Sequence, residues 1–287
     1  MQIRERRFLL LHKTFELSNV SCNNKNRRGL YMKYLENLLE LGCFSRQDVV
    51  SITGNEQAAH SLIHNYLING YIERIRRDLY SVISLETKQP VANRFLIASS
   101  IANDSCVSYH SAFEYYGYAN QVFHEIYVTT NSRFSDFKYN GIAYTRVAPR
   151  INSGIITTNT GIRITNIERT VIDSIRAFDK IGGMEELLRC LTLVPVLRSE
   201  KLISYLDEYA LANLYQKTGF ILLQFSEELG LSKAFFDFCK SKIPKSKQYL
   251  YSEKDAHSKQ FVLHEEWMLY APENIKSIIS KGVDLSD

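Results

Sequence analysis

Between Gly29 and Ile83 the apolar residues change period once, and that change restricts the local fold more than any other feature of the chain. Three helical runs come first. Leu30, Tyr34, Leu38 and Leu41, with Leu35 beside them, keep helical spacing until Gly42 stops the run. Ser45 is placed to cap a short helix through Ile52, with Val49 and Ile52 inward, and Gly54 breaks it. Asn55 then caps a third helix, Glu56 to Asn69, whose inner stripe is Ala59, Leu62, Ile63, Tyr66 and Leu67. After Gly70 the spacing becomes strand-like: Tyr71–Ile75 and Leu79–Ile83 are β-prone segments around the turn Arg76-Arg77-Asp78. Three short helices, the last two separated by a tight turn, followed by a hairpin with a basic tip, predict a winged helix-turn-helix over residues 29–90.

Such a shape suggests duplex DNA. Gln57, His60, Ser61 and His64 fall at i, i+3, i+4 and i+7 and line one polar face of the third helix, which can enter a major groove. Gln57 matches adenine, while Ser61 and His64 can meet either base of a pair. Arg74, Arg76 and Arg77 would neutralise phosphates, and Ser45, Arg46 and Asn55, at the starts of the second and third helices, complete the candidate DNA-binding set. Winged helices also serve as protein-interaction modules, and Glu36, Glu40, Glu73 and Asp78 dilute the positive charge. His60 and His64 have metal-ligand spacing, but no third ligand lies nearby in sequence, so neither a metal nor another cofactor is expected.

Charge distribution agrees with an N-terminal site. Residues 1–90 hold thirteen Lys/Arg against nine Asp/Glu, and residues 91–287 hold twenty-two of each, so the net charge of +4 sits entirely in the first third. Residues 1–28 end in the polar, basic run Ser21 to Arg28 and are expected to form a flexible arm. Arg4, Arg6 and Arg7 precede Phe8-Leu9-Leu10-Leu11, a run too short for the apolar region of a secretory signal. No stretch approaches the roughly 18 apolar residues of a membrane span. The five cysteines, Cys22, Cys43, Cys106, Cys190 and Cys239, form no C-x-x-C pair, and the expected compartment is the reducing cytoplasm.

The polar stretch Glu86 to Pro90 is the expected boundary to a second domain, residues 91–287. Helices are expected at Asn93–Ala102 and Ser111–Tyr116. Segments 125–130, 142–147, 155–158 and 161–165 are β-branched or aromatic and predict an antiparallel sheet. Thr165 to Glu168 has capping-box spacing before a helix whose Ile167, Val171, Ile172 and Ile175 face inward. Helices follow at 184–193, 198–206, 208–217, 221–229 and 232–242, then a strand at 267–270, with Pro272 opening a last short helix. The fold class expected is therefore α+β, with an antiparallel sheet and a helical C-terminal half behind the N-terminal winged helix.

No active site is expected. The candidates are Glu168 with Asp173, His110, and the cluster His264-Glu265-Glu266, and no nucleotide-binding, serine-hydrolase or zinc-protease motif accompanies them. Glu168 fits the reciprocal partner of a capping box, Arg169 and Asp173 an ordinary helix-surface pair, and His110 a hydrogen bond at a strand-to-helix turn.

Beyond these readings, the order of several segments resembles a known family. They are the basic winged helix; Val107-Ser108-Tyr109-His110-Ser111-Ala112-Phe113-Glu114-Tyr115-Tyr116-Gly117; Ile126 to Thr130; Gly161 to Asp173; Gly182-Gly183 before an acidic helix; Tyr215 to Leu223; Leu229-Gly230-Leu231; and Trp267 to Asn274. Together they are similar to the AbiEi antitoxins of type IV, abortive-infection toxin–antitoxin systems. The resemblance spans residues 30–280 and rests on order and spacing rather than on any catalytic fingerprint. It implies a repressor that binds inverted repeats at its own promoter, and a larger domain that counters a nucleotidyltransferase-like toxin without requiring a stable complex. A stand-alone regulator with a sensing or assembly domain, and a nuclease or nucleotide-transfer enzyme, are the other readings.

Overall fold

A computed structural model describes residues 34–251 and 261–280. The expected N-terminal arm lies outside them. The described residues fall into two compact units that meet in sequence between Ser100 and Ile101.

In the first unit, α1 (Leu35–Leu41), α2 (Arg46–Thr53) and α3 (Glu56–Ile68) precede a three-stranded sheet of β1 (Cys43–Phe44), β2 (Ile72–Arg76) and β3 (Leu79–Val82), in the order β1-β3-β2. Both pairings are antiparallel, Phe44 opposite Tyr80 and Ile72 opposite Val82. The two-residue strand β1 was not legible in the sequence, because Cys43 and Phe44 become a strand only by pairing with residues nearly forty positions away. Leu35, Leu38, Phe44, Val49, Ala59, Ile63, Tyr66, Ile72, Tyr80 and Val82 form the core. Burying a side chain the size of Leu or Ile stabilises by about 1.5–3 kcal/mol, so this cluster is what holds α3 against the sheet. Between α2 and α3 the chain turns within two residues. Gly54 takes φ 72° there, a left-handed conformation that an L side chain resists, and Asn55 caps the next helix at once. A fourth helix, α4 (Arg94–Ser99), is capped by Asn93 and closes the unit.

The second unit carries a six-stranded sheet of β4 (Cys106–Val107), β5 (Glu125–Thr129), β6 (Phe137–Tyr139), β7 (Ile142–Val147), β8 (Ile155–Thr157) and β9 (Arg163–Thr165), in the order β6-β7-β5-β4-β9-β8. The expected antiparallel sheet is mixed: β5 with β7 and β4 with β9 run parallel. Parallel partners need crossovers, and period-two patterning carries no information about strand direction. Helices α5 (His110–Tyr116), α6 (Ile167–Arg176), α7 (Met184–Leu193), α8 (Ser199–Tyr209), α9 (Ala212–Leu223) and α10 (Lys233–Lys242) supply most of one large apolar core. A smaller sheet of β10 (Gln248–Tyr249), β11 (Phe261–His264) and β12 (Leu269–Pro272) follows, and α11 (Ser277–Ser280) ends the described chain. The class is α+β.

Several boundaries differ from expectation for identifiable reasons. Helix α8 runs on to Tyr209, and the break falls at Ala210, whose φ is 50°. Helix α9 passes through Gly219 instead of stopping there, because the indole of Trp267 packs onto that position so closely that an added Cβ would overlap the ring. Trp267 lies in a 3-10 turn rather than a strand, and Pro272 ends β12 opposite Phe261 instead of opening a helix. Asn166, not Thr165, caps α6 by accepting from the Arg169 amide at 2.9 Å, so the expected capping box does not form.

Candidate functional site

Two caps and one ion pair set the geometry around α2 and α3. The Ser45 hydroxyl accepts from the Asp48 amide at 3.3 Å, and Asp48 returns the bond by accepting from the Ser45 amide at 2.7 Å. Asn55 Oδ1 accepts from the amides of Gln57 at 2.8 Å and Ala58 at 3.1 Å. Both side chains thereby satisfy helix-start donors and hold the two helices in place. Arg46 joins three elements. Its amide donates to Asp78 Oδ1 at 3.0 Å, tying the β2–β3 turn to the start of α2, and its guanidinium meets Glu56 Oε2 at 2.6 Å on α3.

Ala59, Ile63 and Tyr66 are the buried residues of α3, whereas Gln57, His60, Ser61 and His64 are exposed. The two imidazoles lie nearly parallel, centroids 6.5 Å apart. Arg46, Glu56, Gln57, His60 and Ser61 line an open depression of about 390 Å³. Four of the ten expected site residues, Arg46, Gln57, His60 and Ser61, line this depression, and Ser45 and Asn55 cap the two helices that carry them. His64 continues the same face one turn along.

Hairpin β2–β3 treats its three arginines differently. The strand reaches Arg76, with an irregularity between Arg74 and Arg76, so the turn is only Arg77-Asp78, Asp78 taking φ 60°. Arg74 and Arg77 are exposed, and Arg74 Nε donates to the Arg76 carbonyl at 3.3 Å. Arg76 is half-buried, and burial pushes its guanidinium down from the ordinary arginine value. Two residues that sequence reasoning missed as parts of this site are Glu56 and Asp78. Glu56 carried only the signal of a helix start, and Asp78 that of a turn. Their bonds to Arg46 span ten and thirty-two positions.

Charge is distributed less simply than the first ninety residues suggest. Residues 1–33 hold eight Lys/Arg and two Asp/Glu, whereas residues 34–90 hold five and seven. The basic excess thus belongs to the segment outside the described residues.

In the second unit the candidate groups are scattered. The Arg169–Asp173 pair, expected on a helix surface, is almost fully buried. Arg169 Nε donates to Asp173 at 2.7 Å, and the guanidinium also serves the carbonyls of Ser153 at 2.6 Å and Ile151 at 3.2 Å. The Tyr209 hydroxyl donates to the same carboxylate. Glu168 is buried and accepts from Arg198 at 3.0 Å. His110 lies 3.2 Å from Glu186 and stacks on Phe123 at 3.8 Å. His264 Nε2 is 3.1 Å from the Pro272 carbonyl, and Glu266 accepts from Lys240 at 2.6 Å. Among the described residues no group of three or more His, Cys, Asp or Glu side chains is arranged to hold a metal. Nor is any helix among them long and apolar enough to cross a membrane. Cys43, Cys106, Cys190 and Cys239 are buried free thiols. Burial pushes the Cys43, Cys106 and Cys239 thiols up to about 12.

No family model matches the chain, and no curated protein matches it. Among solved structures it is similar to the crystal structure of the RV2827C protein from Mycobacterium tuberculosis, at 12% identity and a TM-score of 0.59, over 88% of this chain and 94% of that one. At this identity the likeness is one of fold.

Proposed function

We propose that this protein is a DNA-binding transcriptional repressor whose first unit works as a winged helix-turn-helix. One observation carries the reading. The exposed side of α3 presents Gln57, His60, Ser61 and His64 together, and the turn of the adjacent hairpin, with Arg77 exposed, is tied through Asp78 to Arg46 at the start of α2. In that reading α3 enters the major groove, Gln57 and Ser61 meet base edges, and Arg74 and Arg77 take backbone phosphates on either side. The chain needs no catalytic group or cofactor for this role. Its resemblance to AbiEi antitoxins extends the proposal to autoregulation at promoter inverted repeats and to antagonism of a nucleotidyltransferase-like toxin in the cytoplasm.

Binding of the full chain to a labelled duplex across a KCl titration tests the first claim. Replacing Arg74 and Arg77 by Ala should weaken binding to every sequence alike and flatten the slope of log affinity against log salt by about 1.8, since each phosphate contact contributes about 0.9. An unchanged slope contradicts a phosphate-binding hairpin. The same variant, expressed from a foreign promoter together with a cognate nucleotidyltransferase-like toxin, should lose repression and still rescue growth. Loss of rescue in a folded, abundant variant contradicts separate functions.

A further inference from the structure

We infer that Glu56 is a built-in competitor for DNA phosphate, holding Arg46 in an internal ion pair that must open before Arg46 can neutralise the backbone. This rests on the DNA-binding reading above and adds a restraint to the same site. Arg46 Nη2 and Glu56 Oε2 are 2.6 Å apart at the edge of the depression that also borders Gln57, His60 and Ser61. Both side chains are solvated, with 47% and 62% of their surface exposed, so the pair is in reach of an incoming strand.

Arg46 itself is well placed to remain there. Its backbone is fixed by the bond from its amide to Asp78, and α2 is fixed by the Ser45–Asp48 box, so opening the ion pair moves side chains only. An exposed pair of this kind contributes little to stability, and a duplex phosphate is a second anion that suits its guanidinium fork. Opening the pair, however, leaves the Glu56 carboxylate beside the polyanion, which repels it, so Arg46 stays paired in the wild-type complex.

The local charge makes this restraint matter. Residues 34–90 hold only five Lys/Arg against seven Asp/Glu. Arg76 is half-buried, so Arg46, Arg74 and Arg77 are the exposed arginines among the described residues of the first unit, and one of the three is masked. Masking a cation lowers affinity for all duplexes. The affinity that remains then depends more on base contacts from the α3 face, which only the right sequence supplies.

The test compares the full-length wild type with Glu56→Gln, Arg46→Gln and the double variant, using a labelled duplex of mixed sequence and fluorescence anisotropy across a KCl titration. Glu56→Gln keeps the side-chain shape and removes the competing charge. It should bind mixed-sequence DNA about tenfold more tightly at low salt, with a slope steeper by about 0.9, the contribution of one added phosphate contact. Adding Arg46→Gln should cancel both changes, and Arg46→Gln alone should alter binding far less than it does in the Glu56→Gln background. Thermal melting of each variant establishes that it is folded. If the wild type binds and Glu56→Gln leaves slope and affinity unchanged, the restraint is refuted while the DNA-binding reading stands. The restraint is refuted equally if the gain survives removal of Arg46, because the effect is then general charge and not release of Arg46. If neither protein binds any duplex, the DNA-binding reading fails and takes this inference with it. Binding by Glu56→Gln but not by the wild type supports both.

Discussion

Gln57, His60, Ser61 and His64 of α3 stand exposed, whereas Glu168, Arg169, Thr170 and Asp173 of α6 are each at most 1% exposed. Both helices alternate apolar and polar residues at helical spacing, and both begin behind an asparagine cap. In α6 these charged and polar groups have partners within the fold: Arg169 has Asp173 and two carbonyls, Thr170 the Thr165 hydroxyl at 2.8 Å, and one Glu168 oxygen has Arg198. Charges removed from water need such partners, because an unpaired buried charge costs several kcal/mol. The polar face of α3 has water instead. A polar helix face left open at a depression, beside exposed arginines, has its bonding capacity free for a partner. That difference separates a structural polar helix from a candidate recognition helix, and amphipathic pattern alone does not reveal it.

The largest effect should come from α6. Arg169→Ala leaves Asp173 buried without its cation and strips donors from the carbonyls of Ile151 and Ser153, so unfolding free energy should fall by about 3–5 kcal/mol in a urea titration. A double change, Arg169→Met with Asp173→Leu, removes both charges and should recover the part of that loss due to the unpaired carboxylate, while the two carbonyls and the Tyr209 hydroxyl stay without these partners. A loss under about 1 kcal/mol for Arg169→Ala would place the pair in the same class as an exposed one and break the comparison.

A smaller effect belongs to Asp104, just before β4. Burial alone would raise its pKa, but hydrogen bonds from the Thr130 and Ser132 hydroxyls and from the amides of Asn131 and Ser132 outweigh it and hold the carboxyl at about 2. A carboxyl depressed on folding adds stability above its ordinary value, near 4, and loses it as pH falls towards 2. Asp104→Asn should therefore cost about 1 kcal/mol at neutral pH, after allowance for solvent screening, and the gap from wild type should close between about pH 4 and pH 2. Denaturant midpoints across that range decide it. A gap that persists at pH 2 would mean that Asp104 acts through shape and not through charge.

How much of this was legible in the sequence follows the same divide between local and distant contacts. Helix α3 was expected from Glu56 to Asn69 and runs from Glu56 to Ile68, because its cap, its stop and its inner stripe are all local signals. Helix α2 was equally readable from Ser45 and Gly54. What failed depended on partners remote in sequence: β1 paired with β3, the parallel pairs β4–β9 and β5–β7, and Gly219 under Trp267. At the site, the polar face of α3 could be read from spacing, but the bonds of Arg46 to Glu56 and Asp78 could not. Arg169 and Asp173 show the converse error. At i, i+4 they have the spacing of a solvated pair, and only the packing of Tyr209 and residues 151–153 against α6 buries them.

The smallest effect on the fold, and the most direct test of the central claim, is expected at α3. Wild type and the Gln57→Ala, His64→Ala double variant should be compared in full length, on a duplex selected by the wild type from a random pool and on an unselected duplex. Stability should change by no more than about 0.5 kcal/mol per exposed position. Binding to the selected duplex should weaken by about 1–3 kcal/mol for each side chain that makes a good base contact, while the unselected duplex is bound as before. Equal losses on the two duplexes, or no loss on either, would contradict the assignment of the exposed face of α3 to base recognition.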